Sequence, residues 1–128
     1  MPYWVQVAVE RVSFLVHKGR QVLLLDLTRA SVEEIATVIS TARPLIHGAA
    51  PGSVLTLTDI TEVAVRDAST SHLVAFMKEN RPYVKAAAAT GASDLARAIL
   101  ASVRILTGRQ LNLFKTRQDA LDWLVSVP

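Results

Sequence analysis

Short apolar segments alternate along the chain with longer segments in which apolar residues recur every three or four positions. Residues 5–14 alternate apolar and polar side chains, which is typical of a strand with one buried face. Residues 21–26 contain four consecutive aliphatic residues, which indicates a strand covered on both faces. Further strands are predicted at residues 54–59, 82–87 and 111–114.

Helical periodicity predicts four helices, which begin near residues 31, 67, 93 and 116. Ser31 and Glu34 have the spacing of a capping box, in which each side chain binds the backbone of the other residue. Pro44 is expected to kink or end the first helix. Gly108 suits the position just after the end of the third helix.

The order of these elements predicts an α/β fold. Strands that alternate with helices form largely parallel sheets, whereas the tight turn at residues 17–20 predicts an antiparallel hairpin. We therefore expect one domain over residues 1–128, with a mixed, mostly parallel central sheet, an N-terminal antiparallel hairpin and about four helices.

Composition narrows the class of protein. Hydrophobic residues make up 51% of the 128 residues and charged residues 20%, which is enough apolar surface for a core in a single domain. The absence of cysteine excludes disulfides and thiolate metal sites and favours a reducing compartment. Residues 1–4 do not resemble the start of a signal peptide, and no apolar run reaches membrane-spanning length. We expect a soluble, cytoplasmic protein.

The formal net charge of +3 is unevenly distributed. Residues 81–117 contain seven basic residues and a single acidic one, Asp94. Such a local basic field attracts anionic partners, although a solvated surface with a chance imbalance explains the same pattern. Exposed aromatic residues are not interleaved with these basic residues, so we expect no nucleic-acid partner.

The third predicted helix is apolar on more than one side. Arg97 and Arg104 are its only charged residues over 95–106, and because they lie seven positions apart they mark one narrow polar face. Either the remaining apolar surface is deeply buried, or it meets a partner. We predict self-association as a homodimer, through this helix or through the edge of the hairpin.

The order and spacing of several segments resemble the STAS domain, the fold of sulphate transporter and anti-sigma-factor-antagonist modules. The similarity is greatest to small bacterial STAS-like proteins of the STAS/SEC14 group. The resemblance is carried by residues 22–28 (VLLLDLT), 52–59 (GSVLTLTD), 81–86 (RPYVKA), 107–109 (TGR) and 114–116 (FKT), followed by Ala120, Trp123 and Leu124. It implies a regulatory module that binds proteins, and its SEC14 side implies a lipid-binding relative.

One segment departs from the pattern of the regulatory antagonists. In those proteins a phosphorylated serine follows an aspartate at the start of the helix after the third strand, in an Asp-Ser-Ser-Gly context. Here residues 67–70 read DAST, without the glycine. Ser69 is the candidate phosphoacceptor in this segment. Because the Asp-Ser-Ser-Gly context is missing, we predict that Ser69 is not an obligatory phosphorylation switch.

Polar residues gather where the predicted parallel strands end. Ligands of open α/β sheets bind outside the carboxyl ends of the strands. This rim contains two carboxylates and three hydroxyls, which could hold a cation or polarise a hydroxyl group: Asp26, Thr28, Thr58, Asp59 and Thr90. The alternative, which we favour, is that these residues cap the turns that follow the strands.

Two further residues complete the predicted rim. Lys85 lies in an otherwise apolar strand, where it could contact a phosphate or extend to water. Ser93 precedes the third helix, where backbone N–H groups can bind an anion, although we favour a simple N-cap. The surrounding residues 90–94 lack the second glycine, the lysine and the spacing of a phosphate-binding Walker loop.

No set of residues indicates catalysis. His17, His47 and His72 lie in unrelated segments without a second ligand at metal spacing, and no Gly-x-Ser-x-Gly motif is present. We therefore predict no catalytic residues, no metal and no cofactor. The function predicted first is a non-catalytic regulatory or protein-interaction module. The alternative is a protein that binds a small anionic ligand or lipid at the rim. An enzyme ranks last.

Overall fold

The computed structural model describes residues 10–64, 67–107 and 111–128, except for the side chains of residues 67–69, 103 and 105–107. The elements follow one another as β1 (Val12–His17), β2 (Arg20–Asp26), α1 (Val32–His47), β3 (Val54–Asp59), α2 (Asp67–Asn80), β4 (Val84–Thr90), α3 (Asp94–Thr107), β5 (Leu111–Phe114) and α4 (Arg117–Ser126).

The five strands form one sheet whose spatial order, β1-β2-β3-β4-β5, equals their order in the chain. β1 runs antiparallel to β2, and the other neighbouring strands are parallel. Lys18 and Gly19 close the hairpin with φ angles of 49° and 79°. Two positive φ angles are those of a type I′ turn, whose twist matches that of the flanking strands. The predicted mixed α/β fold is confirmed.

Helices cover both faces of the sheet. On one face, α1 and α2 pack on β2 and enclose a cluster that includes Leu23, Leu25 and Ile35. On the opposite face, α4 packs against a second cluster that includes Leu57 and Leu124. α3 lies on the same face as α1 and α2, because residues of all three helices surround one cavity. Three successive right-handed crossovers in one direction place their helices on one face.

The boundaries of two strands differ from the prediction. Residues 10 and 11 are helical and β1 begins at Val12, while the predicted strand residues 5–9 lie outside the described residues. β4 spans Val84–Thr90 and extends three residues beyond the predicted end. Alanine has low strand propensity, but β4 is hydrogen-bonded between β3 and β5, and this pairing outweighs local preference.

Pro44 does not end α1, which continues to His47. The proline is exposed and removes a hydrogen bond only at the surface. The last turn is held from inside, because Ile46 is fully buried and His47 Nε2 lies 2.9 Å from Asn80 Oδ1. At the other end of α1, Ser31 and Glu34 form the predicted capping box.

Candidate functional site

Three polar residues lie side by side where three neighbouring parallel strands end. Asp26 ends β2 and pairs in register with Asp59, which ends β3 and pairs in turn with Thr90 at the end of β4. Side chains alternate between the two faces of a strand. Since Leu57 and Ala88 contact the α4 cluster, Asp59 and Thr90 point to the same face as α4. We call this end of the sheet the carboxyl edge.

Arg117, in the first turn of α4, binds both carboxylates of the carboxyl edge. Its Nε donates to Asp59 Oδ2 at 2.9 Å, and its Nη2 lies 3.4 Å from Asp26 Oδ1. The Asp59 side chain is only 10% exposed, whereas that of Asp26 is 37% exposed. One guanidinium therefore joins two strands to α4. Sequence reasoning placed Arg117 only within a basic segment and missed this role.

The same carboxylates also cap the turns after their strands. Asp26 Oδ1 accepts a hydrogen bond from the amide of Thr28 at 3.1 Å. Asp59 Oδ1 accepts from the amide of Thr61 at 3.0 Å and from its hydroxyl at 2.6 Å. The capping role that the sequence favoured for these aspartates is therefore present in the structure.

These contacts determine the charge of both aspartates. Burial by itself raises the pKa of Asp59, but the hydrogen bonds from Thr61 and Arg117 outweigh burial and lower that pKa below its usual value. For Asp26, hydrogen bonds from Thr28 and the charge of Arg117 likewise outweigh burial and lower the pKa. Both groups are thus held as carboxylates with a cationic partner, which is unlike the environment of a general acid at neutral pH.

The buried hydroxyl of Thr90 completes the carboxyl edge. Thr90 is 2% exposed, and within the described part of the chain its Oγ1 has no hydrogen-bond partner. A buried hydroxyl without a partner is energetically unfavourable.

The remaining predicted rim residues lie elsewhere. Thr58 points to the opposite face of the sheet, where it lines the cavity beneath α3. Lys85 lies near the start of β4, five residues before Thr90 and hence roughly 16 Å from the carboxyl edge. Ser93 accepts a hydrogen bond from the amide of Ala96 at 3.2 Å and acts as an N-cap of α3. The structure thus brings together Asp26, Asp59, Thr28 and Thr90, but not Lys85.

A second group of contacts fastens α4 to the hairpin. Arg20 Nη1 donates to the backbone carbonyls of Val125 and Val127 at 3.1 and 2.7 Å. Asp122 lies 2.7 Å from His17 Nε2 and 3.1 Å from Lys18 Nζ. The hydrogen bond with His17, followed by those from Lys18 and Gln118, lowers the pKa of Asp122 to about 2. α4 is therefore held at both of its ends.

The other histidines make structural contacts or lie at the surface. The ring of His47 stacks on Tyr83 with a centroid separation of 4.7 Å, and His72 is exposed. Among the described residues, no group of three or more His, Cys, Asp or Glu side chains is arranged to hold a metal ion. In the same part of the chain, no helix has the length and apolar character needed to cross a membrane.

The main feature that sequence reasoning missed is an apolar cavity of about 110 Å³ between α3 and the sheet. Its floor includes Ala87 and Ala89 of β4, and its roof includes Ala96, Ile99 and Leu100 of α3. The run of alanines in β4 was the available signal, because small side chains on a strand leave space above the sheet.

Comparisons with known proteins bear on the fold. No protein-family model and no curated protein matches the chain. Among solved structures, the chain is similar to an uncharacterised protein of the DUF3478 family from Shewanella loihica PV-4, which has a SpoIIAA-like fold. The TM-score is 0.63 at 19% sequence identity, with 88% of this chain and 91% of that chain covered. The protein has the STAS-like fold. The resemblance seen in the sequence is confirmed at the level of the fold.

In this STAS-like chain, the candidate phosphoacceptor Ser69 lies after β3. α2 begins at Asp67, so Ser69 lies in its first turn. The side chain of Ser69 is outside the described residues. That Ser69 is not an obligatory phosphorylation switch stays a prediction.

Proposed function

We propose that the protein is a non-catalytic regulatory module that binds an acidic protein partner through α3. The observation that carries the proposal is the shallow seating of this helix. None of the described side chains of α3 is buried, and Leu95 is 59% exposed. By contrast, α1 contributes five buried side chains to the core. A helix with an exposed leucine and little packing on its own domain is suited to contact a second protein.

The charge of α3 indicates the kind of partner. Arg97 and Arg104 are both exposed, and their separation of seven residues places them on the same face of the helix. They belong to the basic segment of residues 81–117, in which Asp94 is the only acidic residue. A basic face beside an exposed apolar residue is complementary to an acidic surface with an apolar anchor.

The carboxyl edge gives less support to the alternative of a small anionic ligand or lipid bound at the rim. Arg117 already binds Asp26 and Asp59, so its charge is neutralised within the protein. General-acid catalysis at this edge has equally little support, because both carboxylates are held ionised by the hydrogen bonds described above. A binding role on α3 uses groups that face solvent instead.

Site-specific photo-cross-linking in the source cell tests the proposal. A photoreactive residue at position 95 should capture a protein of acidic composition, whereas the same residue at Ser40, exposed on α1, should not. The capture at position 95 should fall at least tenfold in the double variant Arg97→Glu/Arg104→Glu, and when it is repeated in cell lysate it should weaken with added salt. Lys78→Glu, an exposed charge reversal on α2, is the matched control. Capture that is equal at positions 95 and 40, or insensitive to the arginine reversals, contradicts the proposal.

A further inference from the structure

We propose that the cavity beneath α3 binds a neutral apolar group, about the size of one six-membered ring or a short hydrocarbon chain. This inference is independent of the protein-interaction proposal, since it concerns the inner face of α3 and not its outer face.

The chemistry of the lining defines the class of ligand. None of the described residues that line the cavity is charged, and most are aliphatic or aromatic. The polar side chains in the lining are Thr56, Thr58, Thr70 and Asn80. Asn80 already pairs with His47. Such a lining offers a charged group no counter-ion, whereas an apolar group gains by leaving water.

The volume sets the size of the ligand. The cavity measures about 110 Å³, somewhat less than the roughly 150 Å³ of an apolar protein cavity that stays free of water and binds benzene. Apolar walls around unfilled space lose the contacts that close packing provides. An apolar occupant restores those contacts, so the site has a physical reason to be filled.

The position of α3 gives the ligand a route of entry. Ala96, Ile99 and Leu100 line the cavity and are only partly buried, so the roof of the cavity is in contact with solvent. The floor is firmer, because Ala87 and Ala89 belong to β4, which is paired on both sides. A ligand can therefore enter by a small displacement of α3 without disturbing the sheet.

Methyl NMR of the full chain, titrated with benzene, tests the site directly. The methyl groups of Ile39 and Ile99, which line the cavity, should shift in a saturable manner and give intermolecular contacts to benzene protons. The methyl groups of Ile35, fully buried in the core but not in the cavity lining, should not. If the methyl groups of Ile39 and Ile99 do not move with benzene, or if Ile35 moves equally, the proposal is wrong.

Two substitutions make the test specific. Ala96→Phe fills the cavity from α3 and should weaken benzene binding at least tenfold, whereas Ala98→Phe, exposed on the same helix, should change it less than twofold. Ala89→Val fills part of the cavity from β4 and should also weaken benzene binding. It provides a second test in case Ala96→Phe disturbs the helix. Benzene binding that is unchanged in Ala96→Phe and in Ala89→Val overturns the proposal.

A second titration, with sodium octanoate, identifies the source of the apolar group. Contacts between the octanoate chain and Ile99 would support the acyl chain of a fatty acid or lipid as the occupant. If benzene binds and octanoate does not, the result would support a compact ring compound as the occupant. The cavity would then exclude a chain that ends in a charged group.

Discussion

Gly91 and Thr61 approach so closely that there is no room for a side chain at position 91. A Cβ atom added to Gly91 would lie 2.0 Å from Thr61 Oγ1 and 2.8 Å from both Thr61 Cα and Thr61 N. The φ angle of Gly91 is +76°, which also favours glycine. This contact joins the loop after β4 to the loop after β3 at the carboxyl edge.

Gly91→Ala should therefore lower the free energy of unfolding by about 2–4 kcal/mol, from backbone strain and overpacking together. The matched control is Gly52→Ala, because Gly52 has a φ angle of +65° but no atom within 4 Å of the added Cβ. This control should cost only about 1 kcal/mol. Urea unfolding of both variants provides the measurement, and equal losses would show that the contact with Thr61 is unimportant.

Replacement of Arg117 should expose the role of the joined carboxylates. Arg117→Gln should lower the free energy of unfolding by about 1–2 kcal/mol, since Asp59 would remain largely buried without its cation. The expected loss in the free energy of unfolding is small because the side chains of Arg117 and Asp26 are 42% and 37% exposed, so that solvent screens their ion pair. Arg43→Gln, which removes an ion pair with Glu79 between two 42%-exposed side chains, should change stability by about 0.5 kcal/mol or less. Equal effects of the two substitutions in urea unfolding would argue against a special role for Arg117.

The same pair of aspartates predicts how stability depends on pH. The folded pKa values of Asp26 and Asp59 are lowered from 3.8, so their contribution is complete above about pH 4. It is lost as the pH falls from that value through the lowered folded pKa values, because the unfolded state then binds protons more readily than the folded state. Arg117→Gln should flatten this acid dependence. Unfolding measured between pH 2 and pH 6 checks the expectation, and an unchanged slope contradicts it.

Thr90→Val should stabilise the protein, since it replaces a buried hydroxyl without a described partner by a methyl group of similar size. The expected gain is about 1 kcal/mol in the free energy of unfolding. The same replacement at Thr116, whose hydroxyl caps α4 by accepting from the amide of Asp119, should instead cost about 1 kcal/mol. Thermal unfolding distinguishes the two directions. A destabilised Thr90→Val variant would mean that the hydroxyl is used in the folded protein.

The homodimer expected from the sequence stays a prediction, and of its two candidate interfaces, α3 and the hairpin edge, we propose the hairpin edge. β1 is an edge strand in the described sheet, and its Phe14 and Val16 side chains are 48% and 72% exposed. Exposed apolar residues on an edge strand favour pairing with another chain. Light scattering at micromolar concentration should give a dimer mass, and Val16→Asp should reduce it to that of a folded monomer. Leu95→Asp on α3 is the control and should leave the dimer intact. A monomer mass in the unmodified chain contradicts the prediction.

Much of the fold was determined by local signals in the sequence. The apolar runs predicted β2 and β3, the turn at residues 17–20 predicted the antiparallel hairpin, and Ser31 with Glu34 predicted the start of α1. These features depend on neighbours in the chain, because hydrogen bonds within a turn or a cap join residues only a few positions apart. The overall resemblance to the STAS-like fold followed from the order of such elements.

Tertiary structure decided what the polar residues do. Asp26, Asp59 and Arg117 are distant in sequence, and only the parallel register of β2 and β3 together with the packing of α4 brings the guanidinium between the carboxylates. The position at which β4 ends and the cavity above Ala87 and Ala89 also depend on distant segments. Both are set by the strands and the helix that lie beside β4. The charge and size of each side chain can be read from the sequence. Contacts between distant segments decide which charges are neutralised and which small residues leave a space.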